Sequence, residues 1–199
     1  MTTRAHAEFA VIAAVGAVLV VGYLDFALVR LVDPITDPVS DYVFHNGLLF
    51  VLAVALLMAG GIATLAGASR AGVVPPRSAI ILFRLWIAGL ALVAVFPANP
   101  TVDVSTTSGS IHRLGGAVFL TCLPFASWLL SRTLAADPLW TITAERLRWC
   151  ALVTFVTGGL FGLAQFLPWL PLGLLERIAL AAQVLLVVVL ALEIRRVAR

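Results

Sequence analysis

The chain has 199 residues, of which 62% are hydrophobic and 12% charged, with a formal net charge of +3 and a mean hydropathy of +1.09. A soluble globular domain does not tolerate that balance, so the composition points to an all-α, polytopic membrane protein. No basic stripe interleaves with exposed aromatics, which argues against a nucleic-acid partner. The two cysteines, Cys122 and Cys150, sit inside apolar segments and form no CxxC pattern, so neither a disulfide framework nor a cysteine-based metal motif is expected.

Six apolar runs follow one another along the chain, and the bilayer is their expected partner. The first predicts a helix over 9–30, long enough to cross about 30 Å of hydrocarbon. It starts like a signal peptide, but no small-x-small site follows its apolar core, so it is expected to be retained. Near its far end Asp25 and Arg30 are spaced for a local ion pair at the membrane surface.

A polar stretch comes next, Asp37-Pro38-Val39-Ser40-Asp41-Tyr42-Val43-Phe44-His45. Asp37 followed by Pro38 reads as an N-cap and first helical residue, predicting a helix over 38–66. On such a helix Asp37, Asp41 and His45 recur every four residues and share one face. Gly60, Gly61, Thr64 and Gly67 give the same helix a small-residue face for close contact. Ser69 to Arg77 breaks the chain with Gly72 and paired prolines, and a third helix is predicted over 79–96, where Arg84 can snorkel back to the surface.

The connector after Pro97 carries Asn99, Asp103, Ser105 and Ser108. Ser108 or Ser110 is placed to cap a fourth helix over 110–131, with His112 and Arg113 in its first turn and Pro124 as an expected kink. Arg113 at a helix N-terminus opposes the dipole and calls for an anionic partner. A fifth helix is expected over 149–167 and a sixth over 173–192, separated by the turn Pro168-Trp169-Leu170-Pro171. The expected architecture is one six-helix transmembrane bundle spanning residues 1–199.

Arginine placement sets the expected orientation. With a cytoplasmic N-terminus, that side collects Arg4, Arg70, Arg77, Arg84, Arg132, Arg146, Arg148, Arg195, Arg196 and Arg199, leaving only Arg30, Arg113 and Arg177 opposite. Positive residues favour the cytoplasmic side, so both termini are expected there, in a bacterial inner membrane.

The same orientation brings Ser40, Asp41, His45, Asn99, Asp103, His112, Arg113, Glu176 and Arg177 to one compartment. Ionisable groups at membrane depth are expensive unless paired or lining a wet cavity, which makes their convergence a candidate site. One reading is structural, with Arg113 and Arg177 neutralising Asp41 and Glu176 to hold three helices together. The other is chemical. Ser40, Asp41 and His112 are then the catalytic candidates, and Asn99, Asp103, Arg113, Glu176 and Arg177 the ligand-binding ones. His45, His112 and Asp41 have the ligand types for zinc, with a position left for water. No HExxH or HxxxH motif supports the metal, and no GxSxG turn surrounds Ser40.

Asp37-Pro38-Val39-Ser40-Asp41-Tyr42, Val95-Phe96-Pro97-Ala98-Asn99-Pro100 with Ser110-Ile111-His112-Arg113, and Gly173-Leu174-Leu175-Glu176-Arg177 carry a resemblance over nearly the whole chain. It is to the six-helix bacterial and archaeal membrane proteins catalogued as domain of unknown function 998. The resemblance implies a shared polar cluster on the outer face, with Ser40, His112 and Arg177 at motif positions, and implies no particular reaction. More loosely, the Ser, Asp and His set resembles the membrane hydrolases that include alkaline ceramidases and adiponectin-type receptors. Those proteins have a seventh helix and a terminal HxxxH, both missing here. The expected function is binding of a lipid headgroup or small solute at an outward-facing pocket, or assistance to an envelope complex. The alternative is a membrane-embedded hydrolase, metal-dependent or not, acting on a lipid or amide at the outer leaflet.

Overall fold

The computed structural model describes residues 2–100 and 104–197. It is all-helical, and among the described residues six helices are long and apolar enough to cross a membrane. They are α1 (Thr3–Ala27), α2 (Val43–Arg70), α3 (Arg77–Val95), α4 (Thr107–Leu134), α5 (Thr141–Ala164) and α6 (Leu172–Val197). Their large outward side chains, such as Ile12, Leu19, Leu48, Ile62, Leu114 and Val156, are exposed. A helix surface of that kind is stable in hydrocarbon, where burying it against protein gains nothing.

Neighbouring helices pack in chain order, and α6 returns against α1, closing a ring; α6 also touches α2 and α4. Small residues set the tightest seams. Ala7, Ala10, Ala13, Ala14 and Ala17 of α1 are buried, and a Cβ on Gly60 of α2 would stand 3.1 Å from the Ala10 carbonyl oxygen. Between α3 and α4 the backbones themselves meet: a Cβ on Gly89 would lie 2.7 Å from the Gly115 oxygen, and one on Gly115 2.9 Å from the Gly89 oxygen. Trp86 is fully buried and lies across Gly61, where a Cβ would come within 2.3 Å of its ring.

The start of α2 differs from the sequence expectation. Asp37 does not cap a helix beginning at Pro38. Its carboxylate turns back instead, accepting from the Asp33 amide at 2.8 Å and the Thr36 hydroxyl at 3.1 Å. Val39–Tyr42 forms a 3-10 turn, and α2 then carries non-helical angles at Asn46 (φ −150°, ψ 70°). The regular four-residue face through Asp37, Asp41 and His45 is therefore broken twice. In α4 the cap is Thr106, whose hydroxyl accepts from the Gly109 amide at 2.9 Å, rather than Ser108 or Ser110. Helix α5 starts earlier than expected, after a 3-10 turn at Pro138–Trp140, so Glu145, Arg146 and Arg148 are helical.

α4 continues through Pro124. Proline has no amide hydrogen, which leaves the Leu120 carbonyl without its usual helix donor. The Gln183 side chain on α6 supplies one, its Nε2 donating to Leu120 O at 2.9 Å and to Phe119 O at 3.4 Å. Gln183 is fully buried. In hydrocarbon a freed backbone carbonyl needs such a donor, and this contact ties α6 to the middle of α4.

Candidate functional site

At one end of the bundle the loop 33–39 folds over the N-terminus of α6. The Leu174 amide donates to Ile35 O at 3.0 Å, and the Val39 amide donates to Glu176 Oε2 at 2.6 Å. Gly173 permits the approach, since a Cβ there would stand 2.3 Å from the Asp37 oxygen. Arg177 completes the junction. Its Nε donates to Asp25 Oδ1 at 2.9 Å, and one terminal nitrogen donates to Tyr42 Oη at 2.8 Å. The other donates to the carbonyls of Asp37 at 2.9 Å and Gly173 at 3.1 Å. Tyr42, itself fully buried, donates its hydroxyl to Asp25 Oδ1 at 2.5 Å. One guanidinium thus joins α1, the loop, the 3-10 turn and α6, using the planar fork that makes arginine suited to such junctions.

Across the ring, Asn99 organises the connection between α3 and α4. Its Oδ1 accepts from the Thr106 amide at 3.0 Å and hydroxyl at 2.9 Å, and Ser108 donates to Pro97 O at 2.9 Å. Directly beneath, His112 Nδ1 lies 2.8 Å from Phe96 O. A carbonyl only accepts, so Nδ1 carries the proton, and neutral His112 then has an acceptor at Nε2. Nε2 makes no hydrogen bond of ordinary geometry among the described residues, although the Val93 carbonyl also lies close to the ring.

Between these two polar assemblies lies a cavity of about 1100 Å³. Its mouth is lined by Asp25, Asp37, Ser40, Asp41, Asn99, His112, Arg113, Glu176 and Arg177, together with Gln165. Its walls descend along all six helices to Ala17, Leu57, Phe119 and Val184. Below that level the core closes around Trp140, Leu147, Leu190 and Ile194. Gly22, Gly116 and Gly162 line the cavity, and a Cβ on any of them would meet nothing within 4 Å. Where the seam glycines allow contact, these keep space open.

Of the residues singled out in the sequence, Ser40, Asp41, Asn99, His112, Arg113, Glu176 and Arg177 come to this mouth. His45 is exposed and does not line it, because the 3-10 turn and the break at Asn46 rotate it away. Asp103 lies outside the described residues. Arg177 pairs with Asp25 rather than Asp41, and Asp25 therefore does not pair with Arg30. Arg113 is exposed and makes no ion pair among the described residues. Asp41, His45 and His112 are not drawn together for a metal: among the described residues no three His, Cys, Asp or Glu side chains gather into a group that could hold one.

A second polar assembly, not anticipated from the sequence, occupies the arginine-rich end. Glu193 of α6 is buried and accepts from the Thr143 hydroxyl at 2.9 Å, from Arg146 and, at 2.9 Å, from Arg196. The signal available was a carboxylate between Leu192 and Ile194, at the very end of the sixth predicted helix, where a charge at the membrane edge needs a partner. Gln183, a polar residue inside the same helix, carried a related signal.

No curated protein and no solved structure is found to match the chain. A family model does match, over residues 11–193, including every element that builds the cavity mouth. The chain belongs to that family, described as protein of unknown function (DUF998).

Proposed function

We propose that this protein sits in the cell membrane with both termini cytoplasmic and that its cavity, open toward the outer leaflet, binds an amphiphile. The arginine distribution supports the orientation. The observation that carries the binding reading is the cavity itself. At about 1100 Å³ it is as large as or larger than the roughly 300–1000 Å³ pockets that hold drug-sized ligands. Its polar mouth and apolar walls match a head and a tail. A water-filled chamber with those walls would leave much apolar surface wet, which costs about 25 cal/mol per Å² relative to a lipid filling.

The test is lipid extraction and mass spectrometry of protein purified in mild detergent, beside Gly162→Phe, which places a ring in the open space at that glycine. Wild type retains an amphiphile in stoichiometric amount, and the variant loses it while melting like wild type. Equal retention by both proteins would refute the cavity as the binding place.

The second reading is a hydrolase acting on the bound lipid or amide. What favours it is His112, whose Nδ1 is committed to Phe96 O and whose Nε2 is left as an acceptor suited to a general base in the same cavity as Ser40 and Asp41. Turnover of a bound lipid ester or amide that His112→Ala abolishes, with retention intact, would establish it.

A further inference from the structure

The mouth has a chemical bias that selects among amphiphiles. Four carboxylates line it, those of Asp25, Asp37, Asp41 and Glu176, against two guanidiniums, those of Arg113 and Arg177. Arg177 is spent on Asp25, Tyr42 and two carbonyls, so it offers a ligand no free donor. Arg113 is exposed. Asp37 is occupied by the Asp33 amide and the Thr36 hydroxyl.

Apart from the Ser40 hydroxyl, which can donate as well as accept, the remaining groups are acceptors. Asp41 makes no side-chain hydrogen bond among the described residues, and Glu176 engages only Oε2, with the Val39 amide. His112 is 8% exposed and Ser40 9% exposed. Both line the cavity, the first with its Nε2 lone pair unused and the second with a hydroxyl that bonds to nothing among the described residues. A buried acceptor that finds no donor costs about 1–3 kcal/mol, so a ligand that supplies donors is favoured over one that brings more acceptors. Neither Asp41 nor Glu176 has an ion-pair partner among the described residues, so a cationic head would stabilise their charged forms, the more so where the walls exclude water.

The height of the chamber bears on the tail. Lining residues on α6 run from Leu172 to Val184, which at about 1.5 Å per residue makes it roughly 18 Å tall. One leaflet of hydrocarbon is about 15 Å thick. The chamber therefore spans about one leaflet and accepts an extended acyl or alkyl tail from the mouth downward.

Resting on the amphiphile reading, we propose that the ligand carries a primary ammonium head, held by Asp41 and Glu176, with its alkyl tail in the glycine-walled shaft. An ammonium has three donors and no acceptor, which suits a mouth whose free carboxylate oxygens are acceptors. The same head occurs on a simple long-chain amine and on a phospholipid ending in ethanolamine. In the second case the phosphate lies toward the exposed Arg113.

The experiment uses the full chain in nonionic detergent and measures binding of a long-chain primary amine, the alcohol and the alkyl phosphate of the same length. Phosphatidylethanolamine and phosphatidylglycerol in nanodiscs form a second arm. The amine is expected to bind at least tenfold more tightly than the alcohol and the phosphate more weakly than either. Glu176→Gln keeps an acceptor for the Val39 amide, and Asp41 has no bond to lose when changed to Asn. Each substitution should weaken the amine about tenfold and leave the alcohol unchanged. A preference for phosphatidylethanolamine over phosphatidylglycerol that Glu176→Gln or Asp41→Asn removes, with Arg113→Leu weakening both lipids, would identify the phospholipid, and amine selectivity without it the simple amine. Equal binding of amine, alcohol and phosphate would overturn the ammonium assignment while leaving the amphiphile reading intact. No binding of any probe would overturn both.

Discussion

Replacing Arg177 by Leu should open the junction between α1 and α6, and the size of the effect follows from what the guanidinium holds. Its side chain is 14% exposed and that of its partner Asp25 is 29% exposed. Removing one member of a fully buried pair costs about 3–5 kcal/mol, mainly because the other charge is stranded. Asp25 is partly reachable by water, which discounts that figure, while two backbone carbonyls also lose a donor. The net expectation is about 2–4 kcal/mol. For a chain of this length, that corresponds to a fall in Tm of roughly 5–15 °C. Thermal melts in detergent can read it. Combining Arg177→Leu with Asp25→Asn removes the stranded charge and should recover part of the loss. Arg4→Leu, which breaks an exposed pair with Glu8, serves as the control and should melt like wild type. A wild-type melt for Arg177→Leu, or a double variant showing the simple sum of the two single losses, would refute the stranded-charge argument.

Gln183→Leu should cost about 1–3 kcal/mol by leaving the Leu120 carbonyl unpaired. In a Pro124→Ala background, where the helix can satisfy that carbonyl itself, the same change should cost much less; equal losses in both backgrounds would disprove the link. Gly89→Ala forces α3 and α4 apart and should destabilise by about 1–3 kcal/mol, visible as a lower melting temperature. At the other end, Arg146 and Arg196 have side chains 58% and 45% exposed, against 4% for Glu193. Replacing both arginines by Leu strands the carboxylate and should cost about 3–5 kcal/mol, whereas Glu193→Leu lets the arginines turn to water and should cost far less. The orientation is checked by cysteine labelling in a background lacking Cys122 and Cys150: Ser105→Cys should react from outside the cell and Ser69→Cys only after the membrane is opened.

The sequence made the six apolar helices legible because each presents an unbroken hydrophobic run to lipid, a signal that does not depend on tertiary contacts. It was less informative where local chemistry had two outlets. Asp37 before Pro38 has the form of a cap, but the Asp33 amide in the preceding turn competes for the same carboxylate and takes it. Arg177 was recognisable as an anchor, yet its partner depends on the return of α6 against α1, a contact across 152 positions that no spacing encodes. His112 and Ser40 could be placed at one end of the bundle. Whether they line a cavity depends on glycines such as Gly162 facing empty space, while Gly89 and Gly115, equally small, face another backbone. The residue type is the same in both cases, and only the packing separates a seam from a void.

The closed ring has a temporal consequence. Every wall of the chamber except one comes from α1 to α5, and the hook that joins the two ends of the ring, Arg177, lies in α6, which is synthesised after those five. Until α6 is inserted, Asp25 and Tyr42 lack their cation, the Leu120 carbonyl lacks Gln183, and the shaft lies open along its side to the surrounding lipid. On the amphiphile reading proposed above, a guest with a tail longer or broader than the finished mouth admits has that interval in which to slide in sideways. The order of biosynthesis, as well as the finished shape, then sets what the chamber can contain.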